Sequence, residues 1–77
     1  MSELERQFRE KFSMALAQLI EERQWTKTRL ADTLGVKRSA LSGYFSGKKM
    51  PNTFTFFRIC RAMGATMDQF LLVMGRI

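Results

Sequence analysis

Apolar residues recur every three or four positions along most of the chain, and this spacing predicts helices. In the first stretch the apolar stripe comprises Leu4, Phe8, Phe12, Ala15, Leu16, Leu19 and Ile20. Ser2 and Glu5 have the spacing of a capping box, so a first helix should start at Ser2. Leu4 and Phe8 begin the stripe, and two roles stay open for them: packing on the C-terminal helix or on a second subunit.

The stretch from Thr26 to Gly47 has the pattern of two short helices joined by a tight turn. Its apolar positions place one stripe of each helix against a shared core; they are Leu30, Ala31, Leu34, Val36, Leu41, Tyr44 and Phe45. Gly35 follows the last apolar position of the first helix, where a left-handed residue lets the chain turn. The second helix is predicted over 37–46, with Gly47 as its C-cap. This arrangement is typical of a helix-turn-helix.

Two further helices follow. Asn52 should cap a fourth helix whose apolar face comprises Phe56, Phe57, Ile59, Cys60 and Met63. Phe54 precedes that face, and it either covers the edge of the core or lies in an interface. Thr66 and Gln69 have the spacing of a second capping box, which predicts a fifth helix over about 66–75.

The fifth helix is apolar nearly all round, so one face should stay uncovered after it packs on its own domain. We interpret this surplus as a homodimer contact, and simple filling of the core is the alternative. The residues assigned to the contact are Phe70, Leu71, Val73, Met74 and Ile77.

The segment 26–47, TKTRLADTLGVKRSALSGYFSG, resembles the helix-turn-helix of the lambda-repressor and Cro family, also called XRE-like. The similarity covers roughly Lys11 to Leu72: GKKMP follows the second helix, Met63-Gly64 ends an apolar helix and Thr66 opens the last one. The resemblance implies an all-α, lambda-repressor-like DNA-binding domain of five helices, in which helices 2 and 3 form the helix-turn-helix. We interpret residues 1–77 as one such domain.

The charge of the chain is unevenly distributed. The 77 residues carry a formal net charge of +6. Residues 1–23 contain four basic and five acidic side chains, whereas residues 24–52 contain six basic side chains and one acidic. Residues 53–77 add three basic side chains and one acidic. The positive excess therefore lies on the predicted helix-turn-helix, as expected for a polyanionic partner.

The resemblance also implies which side chains meet DNA. The first turns of the second helix read base edges in this family, which assigns base contacts to Arg38, Ser39, Ser42 and Gly43. Arg38 is the foremost candidate because a guanidinium can pair with O6 and N7 of guanine. Gly43 lacks a side chain, and either it lets the helix backbone approach DNA closely or it is a packing glycine. Phosphate contacts are assigned to Lys27, Lys37, Lys48 and Lys49.

These features predict a sequence-specific regulator of transcription, a repressor, that binds double-stranded DNA as a homodimer. A twofold dimer reads two half-sites about 34 Å apart, so the operator should be an inverted repeat. Two alternatives stay open. One is an antitoxin or anti-repressor that uses the same fold to bind a protein, and the other is the N-terminal DNA-binding domain of a longer repressor.

Composition disfavours several other classes of protein. The chain has no histidine and one cysteine, which excludes a zinc site of the usual ligands. Paired carboxylates and a glycine-rich phosphate cradle are missing, so we expect no enzyme, cofactor or small-molecule substrate. No apolar run reaches the roughly 18 residues that a membrane span needs. The N-terminus does not resemble a signal peptide, and Cys60 suits a reducing compartment, so we expect a cytoplasmic protein.

Overall fold

The computed structural model describes residues 2–77, and within them it contains five α-helices and no strand. This confirms the predicted all-α fold of five helices. The helices are α1 (Glu3–Glu22), α2 (Lys27–Leu34), α3 (Arg38–Ser46), α4 (Thr53–Met63) and α5 (Met67–Arg76).

Four of the five helices begin at a side-chain cap. The oxygens that accept a backbone N–H three residues further on belong to Ser2 (3.1 Å), Thr26 (3.0 Å), Asn52 (2.8 Å) and Thr66 (3.1 Å). The box predicted at Thr66 is complete, because Gln69 Oε1 accepts from the Thr66 backbone N–H at 2.9 Å. The helix starts predicted from Ser2, Asn52 and Thr66 are therefore confirmed to within one position.

Glycines in the left-handed conformation end the three middle helices. Gly35, Gly47 and Gly64 have φ angles of 70°, 79° and 68°. A side chain would strain the backbone at each of these angles, so glycine is the residue that allows the sharp turn out of the helix.

Three aromatic rings from different helices form the centre of the core. Phe12 of α1 lies 5.5 Å from Phe70 of α5 between ring centroids, in a stacked arrangement. Phe56 of α4 meets both rings edge-on, at 5.3 Å from Phe12 and 5.2 Å from Phe70. Such pairs add to the free energy gained by burying the rings. The aromatic cluster therefore joins α1, α4 and α5 into the scaffold on which α2 and α3 rest.

The face that α5 turns inward differs from the predicted one. The sequence assigns Phe70, Val73 and Met74 to a dimer contact, but they are buried in the core of their own protomer. Their spacing of three and four positions matches the single helix stripe that α1 and α4 cover. Leu71 and Ile77 remain exposed, at 51% and 43%, and Leu72 joins them at 58%. Three of the five residues assigned to the dimer contact therefore fill the core of their own protomer, which was the alternative interpretation.

Two further apolar side chains lie elsewhere than expected. Phe57 is predicted on the apolar face of α4, but it is exposed. It lies at the edge of the helix face on which Ile59, Cys60 and Met63 are buried. Phe54, near the start of the same helix, is exposed as well.

Leu4 and Phe8 also remain exposed. They line an open groove that runs between the first turns of α1 and the end of α3, and Tyr44 and Met50 form part of its other wall. This groove, and not α5, is the surface beside which they lie.

Candidate nucleic-acid interface

The turn between α2 and α3 is held by backbone hydrogen bonds and by a side chain from α4. The N–H of Val36 donates to the carbonyl of Ala31 at 3.0 Å, and the N–H of Gly35 donates to that of Asp32 at 3.2 Å. The Arg58 guanidinium donates to the carbonyl of Leu34 at 2.5 Å. A cation at this carbonyl also stabilises the negative end of the α2 dipole. The start of α3 is therefore fixed relative to α2 and α4.

Helix α3 is attached to the core by one side of its surface. Leu41 is its only buried residue, and Tyr44 and Phe45 are half-buried beside it. Arg38, Ser39 and Ser42 lie outside this stripe and are exposed. A short helix that presents a polar, cationic face in this way is suited to enter the major groove.

The exposed face of α3 and the start of α2 together form an open groove of about 510 Å³, which we call the recognition groove. Its lining residues are Lys27, Arg38, Ser39, Leu41, Ser42, Phe45 and Ser46. The structure thus brings together one predicted phosphate contact, Lys27, and three of the four predicted base contacts. The Lys27 ammonium lies 4.8 Å from the centroid of the Phe45 ring, within the range of a cation–π interaction.

Gly43 is not part of the recognition groove, and its assignment as a base contact is corrected. It is half-buried, and the space where its side chain would lie is occupied by the stem of Lys49. A Cβ atom built on Gly43 would lie 2.9 Å from Cδ of Lys49. Of the two roles left open for this residue, the structure supports the packing glycine.

The remaining predicted phosphate contacts lie at the two ends of α3. Lys37 directly precedes the helix and is exposed, whereas Lys48 and Lys49 are exposed just after it. A helix of nine residues is roughly 13 Å long. Lys48 and Lys49 line the open groove that also contains Leu4 and Phe8, and none of the three lysines lines the recognition groove.

The cations of this surface are not neutralised by neighbouring carboxylates. The ion pairs found among residues 2–77 join Arg6 to Glu3 and to Glu10, all on α1. The cations assigned to DNA contacts take part in neither pair; they are Lys27, Lys37, Arg38, Lys48 and Lys49. Among the described residues no carboxylate therefore pairs with these cations, and the Lys27 ammonium lies over the Phe45 ring.

A comparison with known protein families decides what this arrangement is. Residues 16–70, more than two thirds of the chain, match a family model described as helix-turn-helix, of the lambda-repressor type. The chain belongs to the lambda-repressor-type helix-turn-helix family. Its members bind double-stranded DNA, so this chain is a DNA-binding helix-turn-helix regulator. The family is typically non-enzymatic.

The other comparisons add no relative. No curated protein and no solved structure shows significant similarity to the chain. Within residues 2–77 of this helix-turn-helix protein, no helix is long and apolar enough to cross a membrane.

Two features of the interface go beyond what the sequence predicts. The sequence assigns Phe45 to the core only, yet its half-buried ring also lines the recognition groove beside Lys27. Arg9 of α1 donates from Nε to the carbonyl of Gly47 at 3.2 Å, across 38 positions of sequence. The periodic pattern of α1 gives no sign of this second contact, because it depends on how α1 packs against α3.

Proposed function

We propose that this protein is a transcriptional repressor that binds an inverted-repeat operator as a homodimer, with α3 in the major groove of each half-site. The observation that carries the proposal is the recognition groove, where Lys27 from α2 and Arg38, Ser39 and Ser42 from α3 share one exposed surface without acidic neighbours. Repression follows if the bound dimer excludes RNA polymerase from an overlapping site. The protein acts in the compartment that holds the DNA, proposed here as the cytoplasm.

The residues divide into two roles in this proposal. Arg38 pairs with guanine, and a bidentate contact of this kind discriminates against the wrong base by about 1–3 kcal/mol. Ser39 and Ser42 are short, so they read bases directly or through water. The phosphate contacts are Lys27 at the start of α2, Lys37 before α3, and Lys48 and Lys49 after it.

The dimer contact of the proposal is the exposed part of α5. Leu71, Leu72 and Ile77 remain uncovered after α5 has packed on its own core. One module makes few base contacts and rarely gives useful specificity alone. A twofold dimer doubles them and places the two α3 helices about 34 Å apart, one turn of DNA.

The two proposed roles of the cations can be separated by experiment. Duplexes selected from a random pool should yield an inverted repeat, and Arg38→Ala should relax the preference at one position in each half-site. Lys27→Ala should instead weaken binding to all sequences alike, and each phosphate contact it removes should reduce the slope of log Kobs against log salt by about 0.9. Failure of the wild-type protein to bind any duplex at low salt would contradict the proposal.

A second candidate is a protein-binding module, of the antitoxin or anti-repressor kind, on the same fold. Exposed Phe54 and Phe57, two large aromatic side chains in the first half of α4, favour it. The double variant Lys37→Ala/Arg38→Ala distinguishes the two functions, because it should abolish operator binding and leave capture of a protein partner intact. Residues 1–77 act as one domain in either case, including the case in which they are the N-terminal domain of a longer repressor.

A further inference from the structure

The segment 47–49 folds back onto the end of α3. The carbonyl of Gly43 accepts the backbone N–H groups of Gly47, Lys48 and Lys49, the last two at 3.0 and 3.1 Å. It also accepts the hydroxyl of Ser46 at 3.2 Å. One carbonyl thus organises the whole lysine-bearing loop, and we call residues 47–49 the lysine loop.

Gly43 is required by space and not by its backbone conformation. Its φ is not positive, whereas the φ angles of Gly35, Gly47 and Gly64 are. A glycine in a helix interior costs about 1 kcal/mol relative to alanine. A Cβ atom at this position, however, would lie 2.9, 3.0 and 3.2 Å from Cδ, Cγ and Cβ of Lys49, closer than carbon atoms normally approach. A side chain at position 43 would therefore require the Lys49 stem to move away from α3.

The other side of the lysine loop is held by α1. Arg9 donates from Nε to the carbonyl of Gly47. A Cβ atom on Gly47 would lie 3.4 Å from Oγ of Ser13 and 3.6 Å from Cα of Glu10, so the loop runs directly against α1. The backbone of the lysine loop is therefore held between α1 and α3, which fixes the points from which the side chains of Lys48 and Lys49 extend.

We propose that Gly43 is a positioning residue for DNA binding: it gives the Lys49 stem its place on α3 and so fixes the lysine loop against the DNA backbone. This inference rests on the proposed function, in which Lys48 and Lys49 contact phosphates. Gly43 acts through Lys49 and does not itself touch a base.

The substitution Gly43→Ala tests the proposal. Displacement of Lys49 should remove about one phosphate contact, so the slope of log Kobs against log salt should fall by about 0.9. The fold-change in affinity between about 50 and 200 mM salt should then shrink roughly threefold, for operator and random duplexes alike. The thermal midpoint should not fall, because alanine is the better helix former. Gln18→Ala is the control for a helix-favouring substitution, since Gln18 is exposed on α1 and lines neither the recognition groove nor the groove beside Leu4 and Phe8.

A double-mutant cycle with Lys49→Ala completes the test. In the Lys49→Ala background, Gly43→Ala should leave the salt slope unchanged, because the phosphate contact is already absent. An equal decrease in affinity in both backgrounds would show that residue 43 meets DNA directly, and would overturn the proposal. So would an unchanged salt slope in Gly43→Ala when Lys49→Ala lowers it.

Two measurements distinguish failure of the proposed phosphate contacts of Lys48 and Lys49 from failure of the proposed role of Gly43. If neither Lys48→Ala nor Lys49→Ala changes the salt slope, the proposed phosphate contacts fail, and this inference fails with them. Nuclear Overhauser contacts between the Gly43 Hα protons and the Lys49 side chain test the packing itself in the wild-type protein. Their absence would overturn the inference even if Gly43→Ala did not fold.

Discussion

At the scale of single residues, Leu41 is the side chain that packs α3 into the core of the protein. It is 2% exposed and is the only buried residue of α3. We expect Leu41→Ala to lower the free energy of unfolding by about 2–5 kcal/mol, because apolar burial is reduced and a cavity remains. Urea denaturation measures the change, and Leu41→Met, which nearly conserves volume, should cost less than about 1.5 kcal/mol. A cost for alanine no greater than that for methionine would mean that α3 is held by other contacts.

Cys60 offers a second residue-scale test, of the core beneath α4. Its side chain is buried, and burial raises the pKa of the thiol above its ordinary value. The thiolate is the reactive form, so native protein at mildly alkaline pH should react with a disulfide reagent much more slowly than urea-unfolded protein does. Because the pKa of Cys60 is higher in the folded protein, the unfolded protein loses the thiol proton first as the pH rises. The free energy of unfolding should therefore decrease as the pH rises from the unfolded pKa to the folded pKa. Equal reaction rates in the two states would contradict the buried placement.

The role of a residue could be predicted from the sequence where it depends on neighbouring positions of the same helix. It could not be predicted where it depends on how separate segments pack. The left-handed glycines at 35 and 47 could be predicted because each follows the last apolar position of a helix. The role of Gly43 could not, because it depends on where the Lys49 stem lies. The resemblance to the lambda-repressor family assigned Arg38, Ser39 and Ser42 to one contact surface, and they do share the recognition groove.

At the scale of helices, the turn between α2 and α3 should matter to DNA binding in a way that a turn of the same conformation elsewhere does not. Gly35 and Gly64 have φ angles of 70° and 68°, and a side chain would meet nothing within 4 Å at either. Alanine at either position should therefore cost the same backbone strain, about 1–2 kcal/mol of stability. Only Gly35 joins the two helices of the recognition groove.

We accordingly expect Gly35→Ala to weaken operator binding, while Gly64→Ala should leave the affinity of the folded protein unchanged. Chemical denaturation and fluorescence anisotropy with a labelled operator measure the two effects separately. Equal affinities for the two variants would indicate that the angle between α2 and α3 is fixed elsewhere, for example by the bond from Arg58 to the Leu34 carbonyl.

Helix boundaries and helix faces differ in how far they can be predicted. Boundaries depend on capping residues within a few positions, so Ser2, Asn52 and Thr66 suffice to place three helix starts. The buried face of α5 depends on what α1 and α4 present to it, and its nearly continuous apolar sequence gives no contrast between faces. That is why the sequence assigns Phe70 to an interface although the residue lies at the centre of the core.

At the scale of the whole molecule, apolar side chains stay uncovered on α1, in the first half of α4 and on α5, and the last two regions are the candidate protein contacts. Leu72 is 58% exposed and Phe54 is 68% exposed, so a charge at either position should be tolerated by the folded protomer. If α5 forms the dimer contact, Leu72→Glu buries like charges across the twofold axis and should yield a monomer in sedimentation experiments. Phe54→Glu is the matched control and should remain dimeric.

Binding to the operator also tests whether α5 forms the dimer contact. Because the protomer keeps its recognition groove, Leu72→Glu should bind an isolated half-site as tightly as wild type does, without the advantage that an inverted repeat gives the dimer. Its thermal midpoint, measured at concentrations at which the wild type is monomeric, should match the wild-type value. A wild-type protein that stays monomeric while it saturates the inverted repeat would show that the two protomers meet only on DNA. Disruption of the dimer in Phe54→Glu alone would move the contact from α5 to α4.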